Sequence, residues 1–75
     1  MTLTEGKTGR FYQISKIAVS ASVAGRLEAM GIRNGAVIEL LNHRKNGAAI
    51  VYVRGTRIAL GRKITDCMTV SEVAG

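Results

Sequence analysis

A chain of 75 residues with nine glycines, no proline and one cysteine has room for a single core and excludes both a second domain and an internal disulfide. Its eleven lysines and arginines outnumber five carboxylates, for a formal charge of +6. That balance favours acidic partners, whether nucleic acid, an anionic membrane surface or an acidic protein face, although charges this scattered also serve plain solubility.

No apolar run approaches the roughly 20 residues that span a bilayer. The start, Met1 to Gly6, lacks the basic and apolar parts of a signal peptide. A lone cysteine suits a reducing compartment. The expectation is a soluble, cytoplasmic protein. At this size a hydrophobic core supplies only about 3–5 kcal/mol of net stability, so a closed, well-ordered topology is needed.

After Gly9, Arg10 to Ile17 reads as a first strand. Ile14 and Ile17 are three apart, so both face inward only if the strand carries a bulge. The one helix predicted spans Ser22 to Met30, capped by Ser20 or Ser22, with Val23, Leu27 and Met30 as its apolar stripe. Gly25 within it costs about 1 kcal/mol relative to alanine.

Gly31 stops that helix by entering the left-handed conformation, which places Leu27 and Ile32 in contact across the cap. Gly35 then turns the chain into a second strand, Ala36 to Asn42. Asn46-Gly47 is a two-residue hairpin signal, leading to a third strand, Ala49 to Arg54. Gly55-Thr56 suits another tight turn before a fourth strand, Arg57 to Leu60. Cys67 to Val70 closes the sheet as a fifth, and the tail from Ser71 to Gly75 is expected to fray.

These turns set a register. Arg54 faces Arg57, Val53 faces Ile58, Tyr52 faces Ala59 and Val51 faces Leu60. Opposed residues share a face, so Val51, Val53, Ile58 and Leu60 line the core, joined by Leu40. The outer face carries Leu41 beside Tyr52, with Ile50 near them and Glu39 beside Arg54. An apolar patch rimmed by charge marks a binding surface, unless the first strand folds over it as in small barrels.

The chemistry of catalysis is missing. His43 and Cys67 have no close-spaced partner for a metal and read as a solvent-facing turn histidine and a small strand residue. No serine, threonine or cysteine has a base and orienter nearby in sequence, and the carboxylates form no pair. Gly6-Lys7-Thr8 matches the end of a phosphate loop without its upstream glycine and strand. Gly31 to Gly35 follows a helix, at its negative end, whereas phosphate sites precede one. It is a joint, with Arg33 offsetting the helix terminus. No catalytic residue, cofactor or metal ligand is assigned, and the chain reads as a non-enzyme.

Three segments in this order resemble the FeoA family: Gly6-Lys7-Thr8-Gly9, then Arg26-Leu27-Glu28-Ala29-Met30-Gly31-Ile32-Arg33-Asn34-Gly35-Ala36, then Gly55-Thr56-Arg57-Ile58-Ala59-Leu60-Gly61-Arg62 with Met68-Thr69-Val70. The resemblance runs from about Thr4 to Val70. Asn34 stands where the family usually has proline, and Arg26 alone remains of a more basic helix. The resemblance implies a mainly β, small SH3-like barrel of about five strands with one short α-helix. It also implies an accessory protein of bacterial ferrous iron uptake, acting on the cytoplasmic side of the FeoB-type permease that carries a GTP-binding domain.

Partner binding is then expected of Leu41, Tyr52, Arg54 and Arg57, with Arg26 and Arg33 contributing. The alternative is a nucleic-acid-binding basic barrel, for which only Phe11, Tyr12 and Tyr52 offer stacking, each worth about 1–3 kcal/mol. Two further options are the FeoA-like domain of an iron-dependent repressor and an arginine that stimulates GTP hydrolysis. The starting methionine and the lack of a helix-turn-helix favour a free-standing protein. Dimerisation through the outer patch stays open.

Overall fold

Short apolar runs separated by glycines fold as strands because each buries one side and turns back within a few residues. The computed structural model describes residues 1–74. A single 3-10 turn (Leu3–Glu5) precedes β1 (Phe11–Ile17), α1 (Ala21–Ala29), β2 (Val37–His43), β3 (Ala49–Val53), β4 (Thr56–Leu60), α2 (Arg62–Thr65) and β5 (Met68–Val73). The strands form one antiparallel sheet in the order β4-β3-β2-β1-β5.

The expected core face is the observed one. Leu40, Val51, Val53, Ile58 and Leu60 are all buried, with Tyr12 and Ile14 from β1, Ile38 from β2, Met68 and Val70 from β5, and Leu27 from α1. Tyr12 is wholly inside, and its hydroxyl accepts the Lys7 backbone N–H at 2.7 Å, so its polar tip is satisfied. The bulge in β1 is present: the register against β5 shifts between Ile14 and Lys16, leaving Ser15 unpaired.

The joint after α1 also forms as expected. Ser20 caps the helix, its hydroxyl accepting the Val23 N–H at 3.3 Å. At the other end the Ile32 N–H reaches the Leu27 carbonyl and the Gly31 N–H reaches the Glu28 carbonyl, both at 2.9 Å. Gly31 has φ +89°, and Leu27 and Ile32 are both buried. This is the Schellman arrangement, which satisfies carbonyls left over at a helix end.

Several expectations are corrected. The β3–β4 turn is Arg54-Gly55, not Gly55-Thr56: both residues have positive φ, +52° and +80°, as a turn matching the sheet's twist requires. Val53 therefore pairs with Thr56, Tyr52 with Arg57 and Val51 with Ile58. Arg54 does not oppose Arg57, and the expected repulsion between them does not arise. The β2–β3 turn is also longer than two residues. Arg44 N–H bonds the Ala48 carbonyl across Lys45, Asn46 and Gly47, with Gly47 at φ +91°. A shift between Leu40 and Asn42 takes Leu41 out of register, and Glu39, not Leu41, stands opposite Tyr52.

Helix α2 occupies a stretch to which the sequence assigned no element. It is one turn long, too short for apolar periodicity to show, and is anchored by buried Thr65 and half-buried Ile64. Met30, placed in the core stripe by spacing, is 41% exposed, because it lies past the last helical turn at the cap. His43 is half-buried at the end of β2, where its Nε2–H donates to the Gly6 carbonyl at 2.9 Å; it ties down the N-terminal segment rather than facing solvent. Strand β5 continues through Val73, where fraying was expected, helped by an Arg10–Glu72 ion pair at 2.8 Å. Gly75, the end of that predicted tail, lies outside the described residues.

The two sheet edges differ. Along β5, Thr2 bridges Thr69, and the Val70 N–H bonds the Met1 carbonyl at 2.8 Å. The N-terminal segment is held in turn by Glu5, whose carboxylate accepts the Thr2 N–H at 2.7 Å and its hydroxyl at 3.2 Å. Those two bonds, the backbone one foremost, hold the Glu5 carboxyl below its ordinary pKa. Edge β4 has no such cover among the described residues.

Candidate interaction surface

Register places one residue from each strand in a row on the outer face: Val73, Phe11, Glu39, Tyr52 and Arg57, from β5 to β4. Burial falls along it. Val73, Phe11 and Glu39 are half-buried, whereas Tyr52 and Arg57 are exposed, Tyr52 to 42%. The first strand lies within the sheet between β2 and β5 and does not fold over this end of the face.

Arg54 sits at the corner of that end. Its stem crosses the helix cap, since a Cβ built on Gly31 would lie 2.5 Å from Arg54 Cδ. Gly31 is thus glycine for two reasons, its positive φ and the seat it leaves for Arg54. The packing brings Met30 beside the arginines: a cleft of about 430 Å³ is lined by Met30, Arg54, Thr56, Arg57 and Ile58. A second, of about 260 Å³, continues along α1 and β4 past Val23, Arg26, Leu27, Ala59 and Ile64. A third, of about 750 Å³, lies on the other side of Arg54 and is shared by Arg33, Asn34 and Val37.

Arg57 stands opposite Tyr52 on the outer face and shares a cleft with Arg54 and Met30, while Arg26 and Arg33 line neighbouring clefts. Leu41 is half-buried beside the β2 bulge and has no partner in this row. Sequence spacing missed Met30 and Val37, which are 41% and 47% exposed. Val37 was detectable by alternation with buried Ile38; Met30 was not, because the helical stripe predicted burial.

Charge at this corner is uncompensated. Among the described residues two ion pairs occur, Arg10–Glu72 at 2.8 Å and Arg62–Asp66 at 3.7 Å. Neither involves Arg26, Arg33, Arg54 or Arg57. Glu39, the acidic residue in the row, faces Tyr52. Among the described residues no three His, Cys, Asp or Glu side chains converge to hold a metal, and no helix is long and apolar enough to cross a membrane. What these residues present to solvent is an aromatic ring, a thioether and positive charge.

The model of the FeoA domain matches residues 1–72. This chain belongs to the FeoA family. It is similar to a solved FeoA protein from Chlorobium tepidum at 28% identity and a TM-score of 0.90, over 100% of this chain and 72% of that one. It is likewise similar to an iron uptake regulatory protein, also called FeoA, at 26% identity and a TM-score of 0.86, with 97% of each chain covered. ScaR, solved with bound Zn2+, shares the fold at 23% identity and a TM-score of 0.85, but this chain spans only 37% of its length. No curated protein sequence matches this chain. The family is associated with ferrous iron transport, and the mainly β, SH3-like architecture implied by the three sequence segments is the one observed.

Proposed function

We propose that this FeoA-family chain is a cytoplasmic accessory protein of ferrous iron uptake. It docks on the cytoplasmic GTP-binding region of the FeoB-type permease through the Tyr52–Arg54–Arg57 corner, with Arg26 and Arg33 at its rim. The observation that carries this reading is the set of arginines without carboxylate partners, Arg57 opposite exposed Tyr52 and Arg26, Arg54 and Arg57 along the clefts at exposed Met30. Tyrosine and arginine are over-represented among residues that dominate binding energy at protein interfaces, and surface charge steers encounter.

Nucleic-acid binding finds less support. Of three aromatic residues, Tyr12 is buried and Phe11 half-buried, which leaves Tyr52 as the one stacking platform, where such binders use several. The test is capture of the isolated permease GTP-binding region by this chain, with and without nucleotide, beside a duplex and a single-stranded oligonucleotide. Capture of the permease region alone supports docking. Retention of nucleic acid with loss in high salt, and no permease capture, contradicts it.

A further inference from the structure

The backbone of β4 carries information that its side chains do not. A two-residue turn at Arg54-Gly55 makes Val53 and Thr56 a hydrogen-bonded pair, and such pairs alternate along an antiparallel ladder. Val51–Ile58 and Ala49–Leu60 are then bonded, while Tyr52–Arg57 and Ile50–Ala59 are not. The N–H and C=O groups of Arg57 and Ala59 consequently point away from β3. Neither residue appears in any other hydrogen bond among the described residues, and both are exposed. A row of unpaired backbone groups is a template for another strand. The opposite edge is closed by Met1 and Thr2; this one is not.

Beside that edge runs a groove. The two clefts of about 430 and 260 Å³ meet at Met30, and half-buried Val23 and Ile64 supply further apolar lining. Arg26, Arg54 and Arg57 stand along it without carboxylate partners.

We propose that the free edge of β4 is a strand-addition site for an extended acidic segment of a partner protein. The segment's backbone pairs with Arg57 and Ala59, and its apolar side chains enter the groove between β4 and α1. Side chains of an added strand alternate between faces. Those on the outer side stand beside Arg57 and are carboxylates; those on the inner side meet Met30 and Ile58 and are apolar. Charge decides against a second copy as occupant, because pairing β4 with itself brings two chains of +6 together at Arg57. Identifying the partner as the permease rests on the docking reading above; the strand-addition chemistry does not.

The experiment uses the whole chain, isotopically labelled, with a short blocked peptide of alternating glutamate and valine. A lysine–valine peptide is the control. The acidic peptide is expected to slow amide exchange at Arg57 and Ala59 by about tenfold or more, and the basic peptide to leave it unchanged. Ala59→Pro removes an N–H that the β3 ladder does not use, and proline is tolerated where an edge strand's N–H faces solvent. It should abolish the effect while Ala59→Val retains it. If Ala59→Pro fails to fold, Arg57→Glu with the exchange data on the native chain decides the matter. No protection by the acidic peptide, or equal protection by both, overturns the proposal. So does self-association that Ala59→Pro abolishes, which assigns the edge to a second copy. If the native chain and Ala59→Pro capture the permease region equally, edge pairing is overturned and docking stands. If the native chain captures nothing, docking falls, and the peptide result alone judges the edge.

Discussion

Arg54 lies across Gly31, with Arg54 Cδ only 2.5 Å from where a Cβ on the glycine would stand. The Arg54 stem thus lies over the end of α1, which brings the β3–β4 turn beside the helix cap. Arg54 itself has φ +52°, a conformation that costs a non-glycine residue about 1–2 kcal/mol. The strain sits at the proposed interface, where such outliers gather.

Replacing Gly31 by alanine is expected to destabilise the fold, since the new Cβ meets both a positive φ and the Arg54 stem. A loss of about 1–2 kcal/mol lowers the melting temperature by roughly 4–8 °C per kcal/mol in a domain of this size. In the double variant Gly31→Ala/Arg54→Ala the steric part is relieved and the φ penalty stays, so the two changes are less than additive. Thermal melts of the four proteins check this; full additivity contradicts the contact.

Arg54→Asn separates stability from recognition. Asn-Gly is the preferred pair for a turn with two positive φ values, so the variant is expected to melt higher, by about 0.5–1 kcal/mol of stability. It should also capture the permease region less well. A lower melting point would mean that the Arg54 stem on Gly31 outweighs the backbone strain.

Tyr52→Ala should leave folding almost untouched, within about 0.5 kcal/mol for an exposed position. Permease binding should weaken by about 2 kcal/mol or more, some 30-fold, if Tyr52 anchors the interface. Denaturant melts and binding titrations on the same preparation check both halves. Intact binding would move the interface elsewhere.

Acid is expected to loosen the N-terminal segment. The Glu5 carboxyl is held low chiefly by the Thr2 backbone N–H, then by the Thr2 hydroxyl. A lowered folded-state pKa means its stabilising contribution is complete above the ordinary carboxylate range and is lost as pH falls through the lowered value. The native chain should therefore be more stable than Glu5→Gln at neutral pH, with the difference shrinking to nothing in acid. Melts across that range check it; a difference that persists in acid contradicts the assignment.

Much of the fold was legible because its signals are local and redundant. Leu27, Gly31 and Ile32 stand at the spacing of a glycine cap, and the cap is there. The core face survived a misplaced turn: moving from Gly55-Thr56 to Arg54-Gly55 changes the partner of Val51 from Leu60 to Ile58, and a shift of two leaves each side chain on its own face. The turn itself was not legible, because an arginine at positive φ contradicts local preference. Helix α2 was too short to show a period, and its anchor, Thr65, is buried among elements distant in sequence. Of the candidate surface, strand parity placed Tyr52 and Arg57 on the outer face, where they stand opposite each other, whereas Arg54, expected in the strand, lies in the turn. Met30 was missed, since the helical stripe predicted burial whereas the residue lies at the cap, past the last helical turn.

Docking is tested most directly by titrating the permease GTP-binding region with the native chain and with Arg57→Glu, at low and high salt. Arg57 is exposed and makes no ion pair among the described residues, so its reversal leaves the fold intact. Native binding that weakens with salt, and a variant weakened at least about tenfold at low salt, is the result expected. Equal affinities for the two proteins, unaffected by salt, would contradict the assignment of this corner as the docking surface.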